Sequence, residues 1–302
     1  VKVFRMLSPG DNPDVVLQGA LVDAGSLRVP AVVGAVVAHW PHPGPQGDVP
    51  SRGHTALAQE FLPGVEDAWR VALRAVESGE DFSERAKALG AATAEVHGVL
   101  ADALGSQPTD HEHAGAIVAQ MRDRFEEAVC EAPELEGLRA GVLEVLGAAA
   151  EASWPPAQRV HGDYHLGQVL HSPERGWVLL DFEGEPLRPL AERSRPDQPV
   201  RDVAGMLRSF DYVGGAWEHD HGASARQWVS AAQEAFLDGY AEVAGQDPRA
   251  AGALLAAYEL DKAMYEVVYE ARNRPDWLGI PLGAVQRLTS HFDQPPTRGD
   301  LP

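Results

Sequence analysis

The sequence predicts an α+β fold in which a small β-sheet lobe precedes a mainly helical lobe. Three observations lead there. β-like runs are confined to about the first 62 residues and to one later hairpin. Helical periodicity dominates from Val65 to about Ala152, and it returns after Asp202. No internal repeat interrupts that order. The boundary falls near residue 62, giving a sheet-bearing part, 1–62, and a helical part, 63–302.

Taken in order, Val1 to Arg5 reads as a short strand carrying Lys2 between apolar neighbours. Ser8 to Pro13 is a turn, and Asp14 to Ala24 has helical spacing. Val29–Val33 and Thr55–Phe61 read as strands, separated by a Pro- and Gly-rich excursion from Pro41 to Gly53. Arg85 to Leu104 shows one apolar face through Ala88, Leu89, Ala92, Val96, Val99 and Leu100. Gln168–Leu170 and Trp177–Leu180 are two short strands joined by a turn from His171 to Gly176. Helices follow over about 202–217, 223–243, 249–273 and 280–290, and the tail from Pro295 to Asp300 reads as loose.

The 302 residues are 44% hydrophobic, enough for a sizeable core. No apolar run reaches membrane-spanning length, so no membrane partner is expected. The formal charge of −20 repels nucleic acid. A single cysteine, Cys130, allows no internal disulfide and fits a reducing cytoplasm.

The chemistry concentrates in two segments, His161-Gly162-Asp163-Tyr164-His165-Leu166-Gly167-Gln168 and Leu180-Asp181-Phe182-Glu183-Gly184-Glu185-Pro186. Phosphoryl transfer needs a carboxylate to take the acceptor's proton and oxygen ligands for Mg²⁺. Asp163 and Gln168 stand five residues apart, the spacing of a kinase catalytic base and its amide metal ligand. Asp181 ends an apolar strand, where the second metal ligand belongs. His161 reads as a brace for the loop, while His165 divides evenly between loop support and substrate contact. A competing reading makes His161, Asp163, His165 and Asp181 ligands of a hydrolase metal. Against it, His111, His113, His219 and His221 form no second cluster at ligand spacing. Asp202 opens a helix and reads as a support for the catalytic loop through its backbone.

These segments, with Arg201 to Tyr212 and the run from Tyr258 to Trp277, resemble the actinobacterial maltokinases within the aminoglycoside-phosphotransferase-like kinases. The resemblance implies a bilobal protein-kinase-like fold and transfer of the ATP γ-phosphate to the anomeric hydroxyl of maltose. The product, maltose 1-phosphate, would serve α-glucan synthesis, with a trehalose-isomerising enzyme as a functional or fused partner. It makes Asp163 the base, Gln168 and Asp181 the Mg²⁺ ligands with Glu183 adding a contact, and Lys2 the lysine on the ATP phosphates. Gln59, Glu60 and Phe61 become the hinge whose backbone reads adenine. His165, Lys262, Tyr265, Glu266, Tyr269 and Glu270 line the sugar cleft. Trp277 is a wall of that cleft or a core anchor. Related kinases with another sugar or aminoglycoside acceptor, and a non-catalytic pseudokinase module, are the alternatives.

Two departures from the family pattern stand out. The family carries a cap and the first sheet strands ahead of the strand lysine, with the phosphate-covering loop among them, and this chain starts one residue before Lys2. The acid that should pair with that lysine is replaced by Val16, leaving Asp14 or Asp23 as substitutes.

Overall fold

A computed structural model of the chain describes residues 1–44, 47–185 and 190–290. The apex of the Pro-rich excursion (Pro45, Gln46), Pro186 of the second motif and the tail from residue 291 lie outside the described residues.

The first sheet has three antiparallel strands in the order β1-β3-β2, from β1 (Lys2–Val3), β2 (Val32–Gly44) and β3 (Gly47–Gln59). The Pro-rich excursion is strand throughout its described residues. Pro41 faces Pro50 and Gly44 faces Gly47 across the hairpin. Proline is tolerated because β2 is an edge strand and β1 pairs only Ala56 and Leu57 of β3, so a missing ladder donor near Pro41 or Pro50 costs little. Helix α1 (Pro13–Asp23) lies between β1 and β2, its N-terminus capped by Asn12, whose side chain accepts the Asp14 N–H at 2.8 Å.

The chain crosses to the helical part through Glu60–Val65 and pairs once more on the way. The two-residue β4 (Glu66–Asp67) joins β7 (Val169–Ser172) and β8 (Gly176–Leu179) in a second sheet, ordered β4-β7-β8. A third, two-stranded sheet pairs β5 (Ser106–Gln107) with β6 (Ala157–Gln158) and leads into the first motif.

The helices are α2 (Ala68–Ser78), α3 (Ser83–Leu104), α4 (His111–Glu131), α5 (Arg139–Glu151), the short α6 (Leu190–Arg193), α7 (Val200–His221), α8 (Arg226–Ala244), α9 (Gly252–Asn273) and α10 (Gly279–Ser290). Every helix expected from periodicity is present within a few residues, whereas α6 and the three-stranded pairing of β4 are too short to leave a period. On α3 the expected face holds except at Ala88, which is exposed; Ala86 is buried instead. Helix α9 sits centrally, packed by α4, α5, α7 and α10, with Leu254, Leu260, Met264 and Val267 buried. Helices α3 and α8 cross with their backbones touching. A Cβ on Gly90 would lie 1.9 Å from the Phe236 carbonyl oxygen, and one on Gly239 would lie 1.9 Å from that of Lys87. Any side chain at either position would force the pair apart.

Candidate active site

The first motif is a loop held from below. Asp202, 1% exposed in the first turn of α7, accepts the backbone N–H groups of His161 at 2.8 Å and Gly162 at 2.9 Å. His97 of α3 bonds the same carboxylate at 2.9 Å and Tyr240 Oη at 2.9 Å through its other ring nitrogen. Burial works against the Asp202 charge, yet His97, His161 and the Gly162 N–H outweigh it and hold its pKa below the usual carboxylate value. Ser209 adds a third tie from α7, its hydroxyl accepting the Leu166 N–H at 3.0 Å. The helix can come this near because residue 205 is glycine: a Cβ there would lie 2.5 Å from the Tyr164 carbonyl oxygen.

His161 braces the loop, as its sequence context implied. It is 2% exposed, and its Nε2 bonds the Leu180 carbonyl at 2.7 Å. A carbonyl only accepts, so the proton sits on Nε2, leaving Nδ1 to face the Asp163 N–H at 3.4 Å. The ring packs on Phe182, 4.7 Å between centroids. His165 Nδ1 accepts the Gly167 N–H at 3.1 Å. Burial, against the pull of Asp163, drives this imidazole down to about 4.

The residues expected to hold a metal gather at the end of β8. Asp181 has φ of 61°, the one non-glycine residue in the left-handed region among those described. Such a conformation costs about 1–2 kcal/mol for an ordinary side chain and less for aspartate. It places Asp181 Oδ2 3.5 Å from Gln168 Nε2 and Oδ1 2.6 Å from Lys2 Nζ. Lys2 also bonds Asp14 at 3.0 Å and Glu183. Burial opposes the ammonium, but Asp14, Asp181 and Glu183 outweigh it and raise its pKa. Asp14, 1% exposed, is therefore the acid that pairs with Lys2; its Oδ1 accepts the Phe182 N–H at 2.8 Å. One carboxylate oxygen each from Asp14, Asp181 and Glu183 lies within 4.8 Å of the others, a hard-oxygen set of the kind Mg²⁺ prefers.

Among the residues expected in the sugar cleft, Lys262 of α9 places its ammonium 3.1 Å from Asp163 Oδ1 and 3.1 Å from Glu185 Oε1. It also lies 4.8 Å from the Tyr265 ring centroid. Burial would discharge this lysine, but Glu185 and Asp163 raise its pKa instead. The remaining residues expected in the sugar cleft are otherwise engaged. Glu266 is bonded by buried Arg208 at 2.7 and 3.0 Å. Glu270 is bonded by Arg274 at 2.6 and 2.9 Å and by the Tyr212 hydroxyl at 3.1 Å. Trp277 is half-buried and lies against Tyr212 and His219, with Arg274 over its face. Tyr269, 44% exposed, is also covered by Arg274. Among the described residues no hydrogen bond or ion pair joins Tyr269, Glu270 or Trp277 to Asp163, whose side chain is bonded by Lys262.

At the crossing between sheet and helices, the Glu60 N–H donates to the Ala31 carbonyl at 2.8 Å. The Glu60 carboxylate accepts two bonds from Arg175, at 2.6 and 3.0 Å. Arg175 lies in the turn of the β7–β8 hairpin, and its carbonyl accepts from Arg28, which pairs with Glu95 of α3. Gln59 ends β3 opposite Val32, and Phe61 is 86% exposed. Glu185, His97, Tyr240 and Arg175 carry no expectation from sequence; Glu185 alone sits inside a motif that could have drawn attention to it.

A family model described as the phosphotransferase enzyme family (APH) matches residues 18–255. The chain belongs to that family and has its α+β, kinase-like fold. Its named relatives include two glucosamine kinases. That of Streptacidiphilus jiangxiensis is 32% identical over 240 residues, covering 73% of this chain and 54% of the relative. That of Mycolicibacterium smegmatis is 29% identical over 247 residues, covering 76% and 61%. The chain thus spans between about half and three-fifths of these curated relatives. A solved glucosamine kinase in complex with glucosamine, ADP and inorganic phosphate aligns at a TM-score of 0.81 with 25% identity, over 93% of this chain and 73% of that one. A thermostable mutant of an aminoglycoside phosphotransferase shares the fold at a TM-score of 0.52 and 15% identity, over 93% and 85%. No helix among the described residues is long and apolar enough to cross a membrane.

Proposed function

We propose that this chain carries the phosphotransfer machinery of an ATP-dependent sugar kinase whose acceptor is an amino sugar of the glucosamine type. The observation that carries the reading is the meeting of Gln168 and Asp181 at the hairpin mouth, with Lys2 reaching Asp181 from the first strand, while Asp163 stands five residues ahead of Gln168 in the same loop. Asp163 takes the proton of the acceptor hydroxyl as its oxygen attacks the γ-phosphorus, and the bond to the departing ADP breaks. Lys2 holds the ATP phosphates, and the backbone of Gln59–Phe61 reads adenine. Gln168, Asp181 and Glu183 would hold Mg²⁺, which when bound neutralises charge on the phosphate oxygens.

Support for an amino sugar over maltose comes from two directions. Both curated relatives named above are glucosamine kinases. The acceptor side is also rich in carboxylates, with Asp163 and Glu185 already gathered around one ammonium. Maltose, with its trehalose-isomerising partner, rests on the motif resemblance alone.

The test is ATP consumption with Mg²⁺ against glucosamine, maltose, glucose and an aminoglycoside, with the product located by NMR. Turnover confined to glucosamine supports the reading in full. Preference for maltose restores the acceptor implied by the motifs while leaving Asp163 in its role. Turnover on none of the four rejects the amino-sugar acceptor and maltose together.

A further inference from the structure

The two oxygens of Asp163 are not equivalent. Oδ1 accepts the Lys262 ammonium at 3.1 Å, whereas among the described residues nothing bonds Oδ2. The ammonium is fixed in turn by Glu185, whose side chain is 6% exposed, and by the Tyr265 ring beneath it. The Asp163 side chain is 18% exposed and that of Lys262 16%, so solvent screens this contact weakly. A carboxylate free to spin about its last torsion offers either oxygen in a spread of directions. One pinned by a cation on a rigid helix offers a single oxygen in one direction.

We infer that Lys262 is a positioning residue for the base: it anchors Asp163 Oδ1 so that Oδ2 takes the acceptor's proton. The inference rests on the kinase reading above and deepens it. In the transfer step the proton moves from the acceptor hydroxyl to Oδ2. The hydroxyl oxygen forms its bond to the γ-phosphorus, and ADP leaves with the electron pair of the broken P–O bond. Lys262 loses no proton and forms no bond to substrate. It also supplies a fixed positive charge beside the reacting centre as the carboxylate changes its own. This role differs from holding sugar hydroxyls, which would appear in acceptor affinity rather than in turnover.

The experiment compares wild type, Asp163→Asn, Lys262→Met, Lys262→Ala and Lys262→Arg in ATP turnover with glucosamine. Lys262→Met keeps the stem's bulk and should lower kcat about 10²-fold, with KM for ATP and for the acceptor each within about threefold. Ethylammonium added to Lys262→Ala should restore part of the lost kcat, and Lys262→Arg should retain more turnover than Lys262→Met. A Lys262→Met enzyme with raised acceptor KM and unchanged kcat would overturn the inference in favour of plain substrate binding. Loss without amine rescue in a folded Lys262→Ala, judged by its melting curve, would overturn it in favour of a structural role. If the alanine variant does not fold, the methionine and arginine variants decide through kcat alone. Turnover surviving in Asp163→Asn would reject Asp163 as the base, and a wild type without glucosamine turnover would reject the proposed reaction itself; both results are separate from any behaviour of Lys262.

Discussion

The Lys2 ammonium lies 2.6 Å from Asp181 although 179 residues separate them in sequence. That contact fastens the first strand to the end of the β7–β8 hairpin, and Asp14 closes it from α1 by binding Lys2 and the Phe182 N–H together. Three elements thus share one charge cluster. Replacing Lys2 by alanine leaves three carboxylates facing one another without their cation. We expect Lys2→Ala to lower kcat/KM for ATP by about 10²-fold, the cost of one preorganised phosphate donor, measured in steady-state kinetics.

Asp202 accepts two backbone N–H groups and a histidine while almost wholly buried. Asp202→Asn leaves one acceptor oxygen for three donors. The expected outcome is a loss of about 3–5 kcal/mol in chemical denaturation and a fall in turnover of at least about tenfold. Unchanged stability would mean that the loop stands without this anchor.

Gly205 lets α7 lie against the loop that carries Asp163. The methyl group of Gly205→Ala would meet the Tyr164 carbonyl oxygen, so the loop or the helix must retreat. A cost of about 1–3 kcal/mol is expected, with kcat falling more than acceptor affinity. Thermal melting and acceptor titration measure the two effects separately.

His165 supplies a pH signature. Folded, its pKa is lowered to about 4 by burial, while the unfolded chain takes the proton near 6.5. Between those values the unfolded state binds more protons, so stability falls as pH drops through that window. The full contribution is present above about pH 6.5. Melting curves from pH 7 to 4 should show this slope, and His165→Gln, which keeps an acceptor for the Gly167 N–H, should flatten it.

The hairpin and its polar residues are legible in the sequence because Asp163, Gln168 and Asp181 sit at fixed local spacings. Asp14 is legible only as one of two substitutes, since helix periodicity cannot say which acid faces a lysine on another element. Asp202 is suggested by its place at a helix start. His97, Tyr240 and Arg175 are silent, because their meaning comes from contacts across 105, 143 and 115 residues. Glu266 and Glu270 show the converse. Their spacing puts them on one broad face with Lys262, yet neighbouring arginines claim both. The Pro-rich excursion could be read from composition as hairpin-like or disordered, and the structure makes it a hairpin, since edge pairing tolerates residues that propensity counts against a strand.

Helix α3 has a consequence for how this enzyme family member can tolerate insertions. Within five residues it points Thr93 at the Tyr164 hydroxyl, Glu95 at Arg28 beside the inter-element crossing and His97 at Asp202. A few residues earlier, Gly90 seats the same helix on α8. Each residue added to an α-helix turns everything beyond it by about 100°. One amino acid inserted between Gly90 and Thr93 would therefore swing all three side chains away at once, while leaving helix content and hydrophobic composition nearly unchanged. The helix behaves as a camshaft, its three lobes cut at fixed angles, and a shift of one notch mistimes the crossing and the catalytic loop together.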